Sequence, residues 1–373
     1  MKFEIINQEA PRAKIRVIGI GGGGGNAVNT MISHGVTGVD FVVVNTDIQD
    51  LERSLCHNRI QLGIQGTKGL GTGGNPDLGR EAATEDSATI LELLEGCDMV
   101  FLTAGMGGGT GTGAAPVIAQ IAREAGILTV AVVTKPFSFE GKKRKEIADY
   151  GLENLRNHVD TLLTIPNQKL INISDKNTTL KQSFQQVDQI LLHAIRGVSD
   201  LINLQGLINV DFADVQTVMK NKGIGLMGVG YAKGKRAIIE ASQVAINSPL
   251  LDDMSIVGAK NILINIRGGS SLGITEVDEA TRLISEEAHP EAEVIFGLVE
   301  DENMGDAVQV TVIATEFEQH KVQQQSNIER RVVNDVQRTQ PNPPEKTTTK
   351  KPMVSGNIDD VWNDFMLPKY RSR

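Results

Sequence analysis

The chain has 373 residues, of which 40% are hydrophobic and 22% charged, so it is long enough for two domains with buried cores. Its formal net charge of −9 argues against a general affinity for nucleic acid, because the phosphate backbone attracts basic surfaces. Two cysteines, Cys56 and Cys97, are too few for a disulfide framework and are typical of a reduced, cytosolic protein. No run approaches the roughly 18 apolar residues of a transmembrane helix, and no signal peptide is expected.

Five aliphatic or β-branched runs in the first half predict strands buried on both faces of a parallel sheet. These runs are Ile15–Ile20, Asp40–Asn45, Met99–Ala104, Leu128–Thr134 and Thr161–Pro166. Helical patterns lie between them, at Asn26–Ser33, Leu78–Glu95, Ala114–Ala125 and Lys142–His158. This order predicts a doubly wound α/β domain with a parallel sheet over residues 13–178, after a flexible N-terminus at 1–12.

A long helical pattern follows over residues 179–205, where apolar residues recur every three or four positions. We expect this central helix to join the first domain to a second α+β domain at 206–317. The predicted strands of the second domain are Lys260–Ile266, Ala292–Leu298 and Val308–Ala314.

The composition changes after Phe317. Residues 318–356 are rich in Gln, Asn, Thr, Pro, Lys and Arg and predict a disordered linker. Residues 357–373 regain apolar side chains, including Val361 and the only tryptophan, Trp362. An apolar segment behind a polar tether favours a helix that forms on a partner, and the alternative is a frayed terminus.

The first glycine-rich loop runs from Gly19 to Asn26, directly after a predicted strand and before a helix. Glycine lets the backbone approach a ligand closely, and a helix N-terminus offers free N–H groups to phosphate. Gly19, Gly21 and Gly24 also match the G-x-G-x-x-G pattern of dinucleotide-binding proteins. A dehydrogenase and a simple tight turn therefore stay open as alternatives.

A second glycine-rich loop, Gly105–Pro116, also lies between a strand and a helix. A dehydrogenase needs one such loop, whereas two loops indicate a longer phosphate chain held from two sides, as in a nucleoside triphosphate. Thr110 and Thr112 add hydroxyl donors. The Walker A pattern is absent from the chain, which excludes a P-loop enzyme.

The run Gly107–Gly113 resembles the signature loop of the tubulin/FtsZ family of GTPases. Six stretches resemble the bacterial FtsZ members of that family, and they are Val17–Val28, Val44–Asp47, Thr67–Gly71, Ala104–Pro116, Thr134–Arg144 and Asn209–Asp214. The resemblance covers about residues 13–316. It implies a GTP-binding domain at 13–178, an activation domain at 206–317, and a cytoskeletal GTPase that polymerises head to tail into the bacterial division ring.

The resemblance further implies a binding site for GTP or GDP. Its implied residues are Gly22, Gly23, Gly24, Gly25, Asn26, Asn45, Gly109, Thr110, Gly111, Thr134, Glu140, Arg144, Asn167, Phe184 and Asp188. Phe184 and Asp188 lie four residues apart on the long helix and so share a face. An aromatic ring can stack on guanine, and a carboxylate can accept from its N1 and N2 donors. Taken alone, Phe184 would be a core residue and Asp188 a solvated one.

Asn209, Asp211 and Asp214 follow the long helix. From the sequence pattern alone, two Asp residues at this place predict a helix N-cap or a turn. The resemblance instead implies catalytic residues that act on the nucleotide of the next subunit, with Mg²⁺ neutralising charge on the phosphates. The six histidines are scattered without metal-ligand spacing, so no protein-held metal site is expected.

The resemblance also implies partners and a location. Division proteins anchored at the membrane, such as FtsA or ZipA, would bind residues 357–373, and assembly inhibitors are possible further partners. The protein would act in the cytoplasm, at the mid-cell ring under the inner membrane. Two alternatives remain: a dehydrogenase with Asp40 or Asp47 on the ribose, and a nucleotide-binding scaffold without hydrolysis.

Overall fold

The computed structural model describes residues 13–171, 174–175, 177–204, 206–251, 255–270 and 272–317. The predicted N-terminus at 1–12, the linker at 318–356 and the partner-binding segment at 357–373 lie outside the described residues.

Across the described residues, ten strands form a single sheet. The strands are β1 (Ile15–Ile20), β2 (Asp40–Asn45), β3 (Asn58–Gln61), β4 (Met99–Gly105), β5 (Leu128–Lys135), β6 (Thr161–Pro166), β7 (Gly223–Lys233), β8 (Ala259–Gly268), β9 (Glu293–Glu300) and β10 (Ala307–Phe317). Their order is β3-β2-β1-β4-β5-β6-β7-β10-β8-β9. Neighbours from β3 to β7 are parallel, β10 is antiparallel to β7 and β8, and β8 is parallel to β9.

Helices cover both faces of this sheet. They are α1 (Gly21–Ser33), α2 (Ile48–Glu52), α3 (Ile64–Thr67), α4 (Pro76–Glu85), α5 (Ser87–Leu94), α6 (Thr110–Glu124), α7 (Lys142–Arg156), α8 (Asn167–Ile171), α9 (Leu180–Asn203), α10 (Phe212–Met219), α11 (Ala237–Ile246) and α12 (Ile274–Glu286). One core lies under α1, α9 and α10, and a second lies under α4–α7 on the opposite face. A third core joins α11 and α12 to the strands of the second half.

The prediction of strands buried on both faces is confirmed. In β1, Ile15 and Val17 enter the core under α1 and α9, whereas Ile18 and Ile20 enter the core on the other face. The predicted α/β class with a long central helix is confirmed as well. The two halves share one sheet, since β6 and β7 pair at Thr161–Leu163. The helix α9 packs against strands of both halves.

Three helix predictions differ from the structure, and one of them is α6, which begins at Thr110 rather than at Ala114. The first helix begins at Gly21, inside the glycine run, because small residues let it pack tightly on the sheet. A side chain at Gly24 would lie 2.3 Å from the Thr103 carbonyl oxygen. The predicted helix Leu78–Glu95 is two helices, since the Asp86 carboxylate accepts from the Gly63 backbone N–H at 2.6 Å and the chain bends there.

The strand β7 escaped prediction because glycine is a poor strand former. Here the glycines serve close packing against α11. A side chain at Gly228 would lie 2.0 Å from the Ala245 carbonyl oxygen, and one at Gly230 would lie 1.9 Å from that of Ala241.

Candidate nucleotide site

A cleft of about 570 Å³ opens at the carboxyl ends of β1, β2, β4 and β5. The chain leaves β1 toward α1 on one face of the sheet and leaves the neighbouring β4 toward α6 on the other. This reversal is the place where open α/β sheets bind ligands. Both glycine-rich loops meet there.

The first loop and the start of α1 form one wall. Gly22, Gly23 and Asn26 are exposed to the cleft. Gly24 and Gly25 are buried and face β4 and Val43 instead. Gly22 and Gly23 let a ligand approach the backbone closely, and Gly24 and Gly25 let the N-terminus of α1 pack against the sheet. This geometry presents backbone N–H groups to an anion.

The second loop and the start of α6 form the facing wall, with Gly109, Thr110 and Gly111 on the cleft. The Thr110 hydroxyl lies 2.7 Å from that of Thr46. Thr112 is used internally, because its hydroxyl accepts from the Gly107 backbone N–H at 2.9 Å.

A third glycine segment, Leu70–Gly74, lines the cleft and was missing from the sequence-based site. Gly71, Gly73 and Gly74 have positive φ angles. The signal was visible in the run Gly69–Asn75, which holds four glycines. Asp47 and Asp50 also line the cleft, and Asn45 donates to the Asp50 carboxylate at 3.3 Å.

The carboxylates near the glycine loops bear on the Mg²⁺ expectation. Within the described ranges, no group of three or more His, Cys, Asp or Glu could hold a metal ion. Mg²⁺ commonly binds through one or two carboxylates together with substrate phosphates. The carboxylates of Asp47 and Asp50 fit that donor set.

The far end of the cleft is lined by polar side chains. Thr134 is buried at the end of β5. Glu140 accepts from the Phe137 backbone N–H at 2.9 Å and forms an ion pair with Arg144. Asn167 is buried, and its Oδ1 has no hydrogen-bond partner in the described part of the chain. An orphaned amide oxygen on a cleft wall is a vacant acceptor for a ligand.

Phe184 and Asp188 lie together on the first turns of α9, as their spacing predicted. Phe184 is 40% exposed, and its ring meets Phe137 edge-on at 5.4 Å. Burial raises the pKa of Asp188 to about 7, against a hydrogen bond with Thr30 that lowers it. An ionised carboxylate at this position gains from a ligand that brings N–H donors.

The three candidate catalytic residues lie away from the cleft. Asn209, Asp211 and Asp214 are all exposed, and none lines it. Asp211 occupies the N-cap position of α10 without a side-chain cap, so the capping alternative is not supported. The Asn209 side chain accepts from the Gly206 backbone N–H at 2.7 Å.

The dehydrogenase alternative is not favoured. Asp40 begins β2 and pairs with Arg16 at 3.5 Å, at the end of the strand opposite the cleft. Asp47 lines the cleft, but beside it lie two further glycine segments that a single dinucleotide loop does not explain.

Comparisons with known proteins match both halves of the chain. Residues 14–175 match the GTPase-domain model of the tubulin/FtsZ family, and residues 223–318 match the C-terminal domain model of the FtsZ family. Cell division protein FtsZ of Coxiella burnetii is 51% identical over 318 residues, which are 85% of this chain and 82% of that protein. The protein of the same name from Pseudomonas aeruginosa is 51% identical over 313 residues, or 84% of this chain and 79% of that one.

Solved structures show the same likeness. An FtsZ dimer from M. jannaschii is 44% identical, with a TM-score of 0.79, over 82% of this chain and 88% of that one. CetZ2 from Haloferax volcanii, at 21% identity and a TM-score of 0.71 over 87% of this chain and 99% of that one, shares the fold.

The fold and the paired glycine loops define a tubulin-like GTPase. The chain belongs to the tubulin/FtsZ family and, within it, to the FtsZ group of filament-forming cell division proteins. No helix within the described residues has the length and apolar character to cross a membrane.

Proposed function

We propose that this GTPase hydrolyses GTP only at the contact between subunits of a head-to-tail filament. Asp211 and Asp214 of one subunit act on the nucleotide held in the cleft of the next. The observation that carries the proposal is the separation of two functional parts on one chain. The cleft lies at the start of α9, and the carboxylates follow its end.

The length of α9 supports a site shared between two chains. From Asp188 to Asn203 the helix runs 15 residues, which is ~22 Å at 1.5 Å per residue. The side chains of Asp211 and Asp214 project into solvent. A second copy stacked on the first brings such a loop to a cleft, and contacts of this head-to-tail kind extend without closing.

The residues of the cleft take distinct roles in this proposal. The N-terminal turns of α1 and α6, with Gly22, Gly23, Asn26 and Gly109–Gly111, hold the phosphates. Gly24 and Gly25 place α1, and Asn45 orients Asp50. Thr134, Glu140 and Arg144 lie on the sugar and phosphate side, whereas Asn167, Phe184 and Asp188 select guanine.

The chemical step then depends on the loop of the second subunit. Asp211 and Asp214 polarise and orient the water that attacks the γ-phosphate, and Asn209 fixes the turn that carries them. Asp47 or Asp50, together with the phosphates of the substrate, would hold Mg²⁺, which would supply charge neutralisation at those phosphates.

The wider role follows from the relatives rather than from the cleft. We propose that the filament forms the mid-cell division ring in the cytoplasm, beneath the inner membrane. Residues 357–373 would dock to membrane-anchoring division proteins such as FtsA or ZipA, and assembly inhibitors are further candidate partners.

The experiment is GTP turnover against protein concentration, with Mg²⁺ present and light scattering recorded together. Turnover per chain should be near zero below a threshold and should rise with scattering. Turnover that is independent of concentration would place the whole site in one chain and contradict the proposal. Absence of GTP turnover at every concentration would favour the non-hydrolysing scaffold.

A further inference from the structure

The loop that carries Asn209, Asp211 and Asp214 is attached to β9. The backbone N–H of Leu207 donates to the Leu298 carbonyl at 3.0 Å, and the Leu298 N–H donates back to Ile208 at 3.1 Å. Only glycine fits at position 206, because a side chain there would lie 2.2 Å from the Leu298 carbonyl oxygen. The position of the loop therefore depends on two anchors, which are the end of α9 before it and β9 beside it.

One arginine connects these two anchors. Arg267, near the end of β8, donates from Nη1 to Asp200 in the last turn of α9 at 2.7 Å. It also donates from Nε and Nη2 to one oxygen of Asp301, immediately after β9, at 3.1 and 2.6 Å. Arg267 pairs in register with Val299, the residue after the loop's partner Leu298.

The cluster is withdrawn from water. The side chains of Asp200, Arg267 and Asp301 are 3%, 19% and 16% exposed. Burial raises the pKa of Asp200 to about 6, and Arg267 is the strongest of the groups that oppose this rise. Apolar residues could fill such a site with equal stability. What the cluster adds is geometry, because the rigid guanidinium fork fixes two carboxylates relative to each other.

We propose that Arg267 is a positioning residue for GTP hydrolysis. By holding Asp200 and Asp301 on two sides of its guanidinium, it fixes the end of α9 against the end of β9. It thereby sets where the loop presents Asp211 and Asp214 to the neighbouring subunit. The inference rests on the proposed role of those two carboxylates. None of the three residues of the cluster lines the nucleotide cleft, so GTP binding by a single chain is independent of it.

Two conservative variants test the connection without leaving a bare buried charge. Arg267→Lys keeps a cation near Asp200, but one ammonium cannot reproduce the fork to both carboxylates. Asp301 also accepts a hydrogen bond from the Asn303 backbone N–H at 3.0 Å. Asp301→Asn keeps an oxygen for that bond and removes the charge that faces Arg267. Matched controls are Arg282→Lys and Glu286→Gln, which make the same changes in an exposed pair on α12 at 3.6 Å.

Both test variants should lower GTP turnover per assembled subunit by roughly tenfold, because small misplacements of catalytic groups are costly. Their GTP affinity below the assembly threshold should stay within about twofold of the unsubstituted protein. In the GDP-loaded, unassembled chain, hydrogen exchange at the amides of Leu207 and Leu298 should be faster, and exchange in β1 should be unchanged. The control variants should match the unsubstituted protein in every measurement.

Unchanged turnover per assembled subunit in both test variants would overturn the inference, even if their melting temperatures fall, because the cluster would then be merely structural. Unchanged exchange at Leu207 and Leu298 would overturn it as well. Asp214→Ala, assayed alongside, separates the two levels. If it loses turnover while both test variants keep theirs, the inference fails alone. If Asp214→Ala hydrolyses GTP normally, the proposed function is wrong, and the inference about Arg267 is then wrong as well.

Discussion

The glycine loops of the cleft and the loop that carries Asp211 and Asp214 are fixed by different kinds of contact. Around the cleft, backbone packs closely against backbone. A side chain at Gly24 would lie 2.3 Å from the Thr103 carbonyl oxygen, and one at Gly109 would lie 2.8 Å from the Asn75 carbonyl oxygen. The loop that carries the proposed catalytic carboxylates instead has hydrogen bonds to Leu298, and the ion pairs of Arg267 lie at the end of α9 and beside β9.

This difference separates binding from turnover. The cleft is packed and complete within one chain, so an added methyl group in its walls disturbs the ligand site directly. The carboxylates of the loop are exposed and touch no part of the cleft in their own chain. Substitutions around the cleft should therefore lower GTP binding, whereas substitutions in the loop should lower turnover alone.

The largest effect is expected for Gly24→Ala. The added methyl group meets backbone on two sides, so α1 must move away from the sheet. We expect a loss of about 1–3 kcal/mol in the free energy of unfolding and no measurable GTP binding. Thermal unfolding and binding of a fluorescent GTP analogue check this. The control is Gly66→Ala, which has open space around it in α3 and should bind GTP normally. GTP binding retained in Gly24→Ala would show that the cleft is less rigid than its packing indicates.

Asp214→Ala should have the next largest effect, on turnover alone. GTP binding should remain within about twofold, while turnover in the assembled state falls by roughly 10²–10⁴-fold, as for loss of a general base. The decisive assay mixes Asp214→Ala chains loaded with GTP and unsubstituted chains loaded with a non-hydrolysable analogue, with nucleotide exchange between them measured separately.

Hydrolysis that begins on mixing, faster than nucleotide exchange, requires a loop from the neighbouring subunit. The control replaces the unsubstituted chains by analogue-loaded Asp214→Ala chains and should show no hydrolysis. If the mixture with unsubstituted chains also shows no hydrolysis, the carboxylate acts within its own chain, and the division between cleft and loop is wrong.

The fold could be predicted where the strands are aliphatic. The bounds of β1, β2 and β6 follow from runs of buried residues, because a strand covered on both faces leaves an unbroken apolar signature. The strand β7 could not be predicted, since Gly228 and Gly230 are selected by the closeness of α11, which only tertiary structure reveals. The start of α1 was hidden for the same reason.

The site was predictable from its local patterns and from family resemblance, and less so from contacts distant in sequence. The two glycine loops and the Phe184–Asp188 spacing were visible in the chain. The segment 71–74 carried a signal of the same kind. The cluster around Arg267 had none, because its partners Asp200 and Asp301 are 67 and 34 residues away and a lone charge in a strand indicates nothing about them.

A smaller effect should appear in the pH dependence of GTP binding. Because burial raises the pKa of Asp188 to about 7, the empty cleft holds this carboxyl mostly protonated at pH 6 and mostly ionised at pH 8. The ionised form accepts guanine N–H donors, so GTP affinity should rise roughly tenfold from pH 6 to pH 8, with proton release on binding. The raised pKa also means that this group's contribution to the free energy of unfolding falls as pH rises from about 4 to about 7.

Titration calorimetry in two buffers of different ionisation enthalpy measures both the affinity and the released proton. Asp188→Asn is the control, because the phosphates titrate equally in both proteins. Its affinity should be lower and its remaining pH dependence should be that of the phosphates alone. Equal pH profiles for the two proteins would remove Asp188 from guanine recognition.

The smallest effect is expected for Phe184→Ala, which probes the base end of the cleft. Stacking of a base on an aromatic ring contributes about 1–3 kcal/mol. Phe184 is 40% exposed, so we expect the lower end, roughly a fivefold loss of GTP affinity. Phe139→Ala is the matched control, since this ring stacks on Phe137 at 5.0 Å but does not line the cleft. If both variants weaken GTP binding equally, Phe184 acts by packing against Phe137 rather than by contacting the base. If only Phe184→Ala weakens GTP binding, its ring contacts the base directly. The cleft of one chain then binds both the phosphates and the base, and the loop of the neighbouring subunit contributes only to turnover.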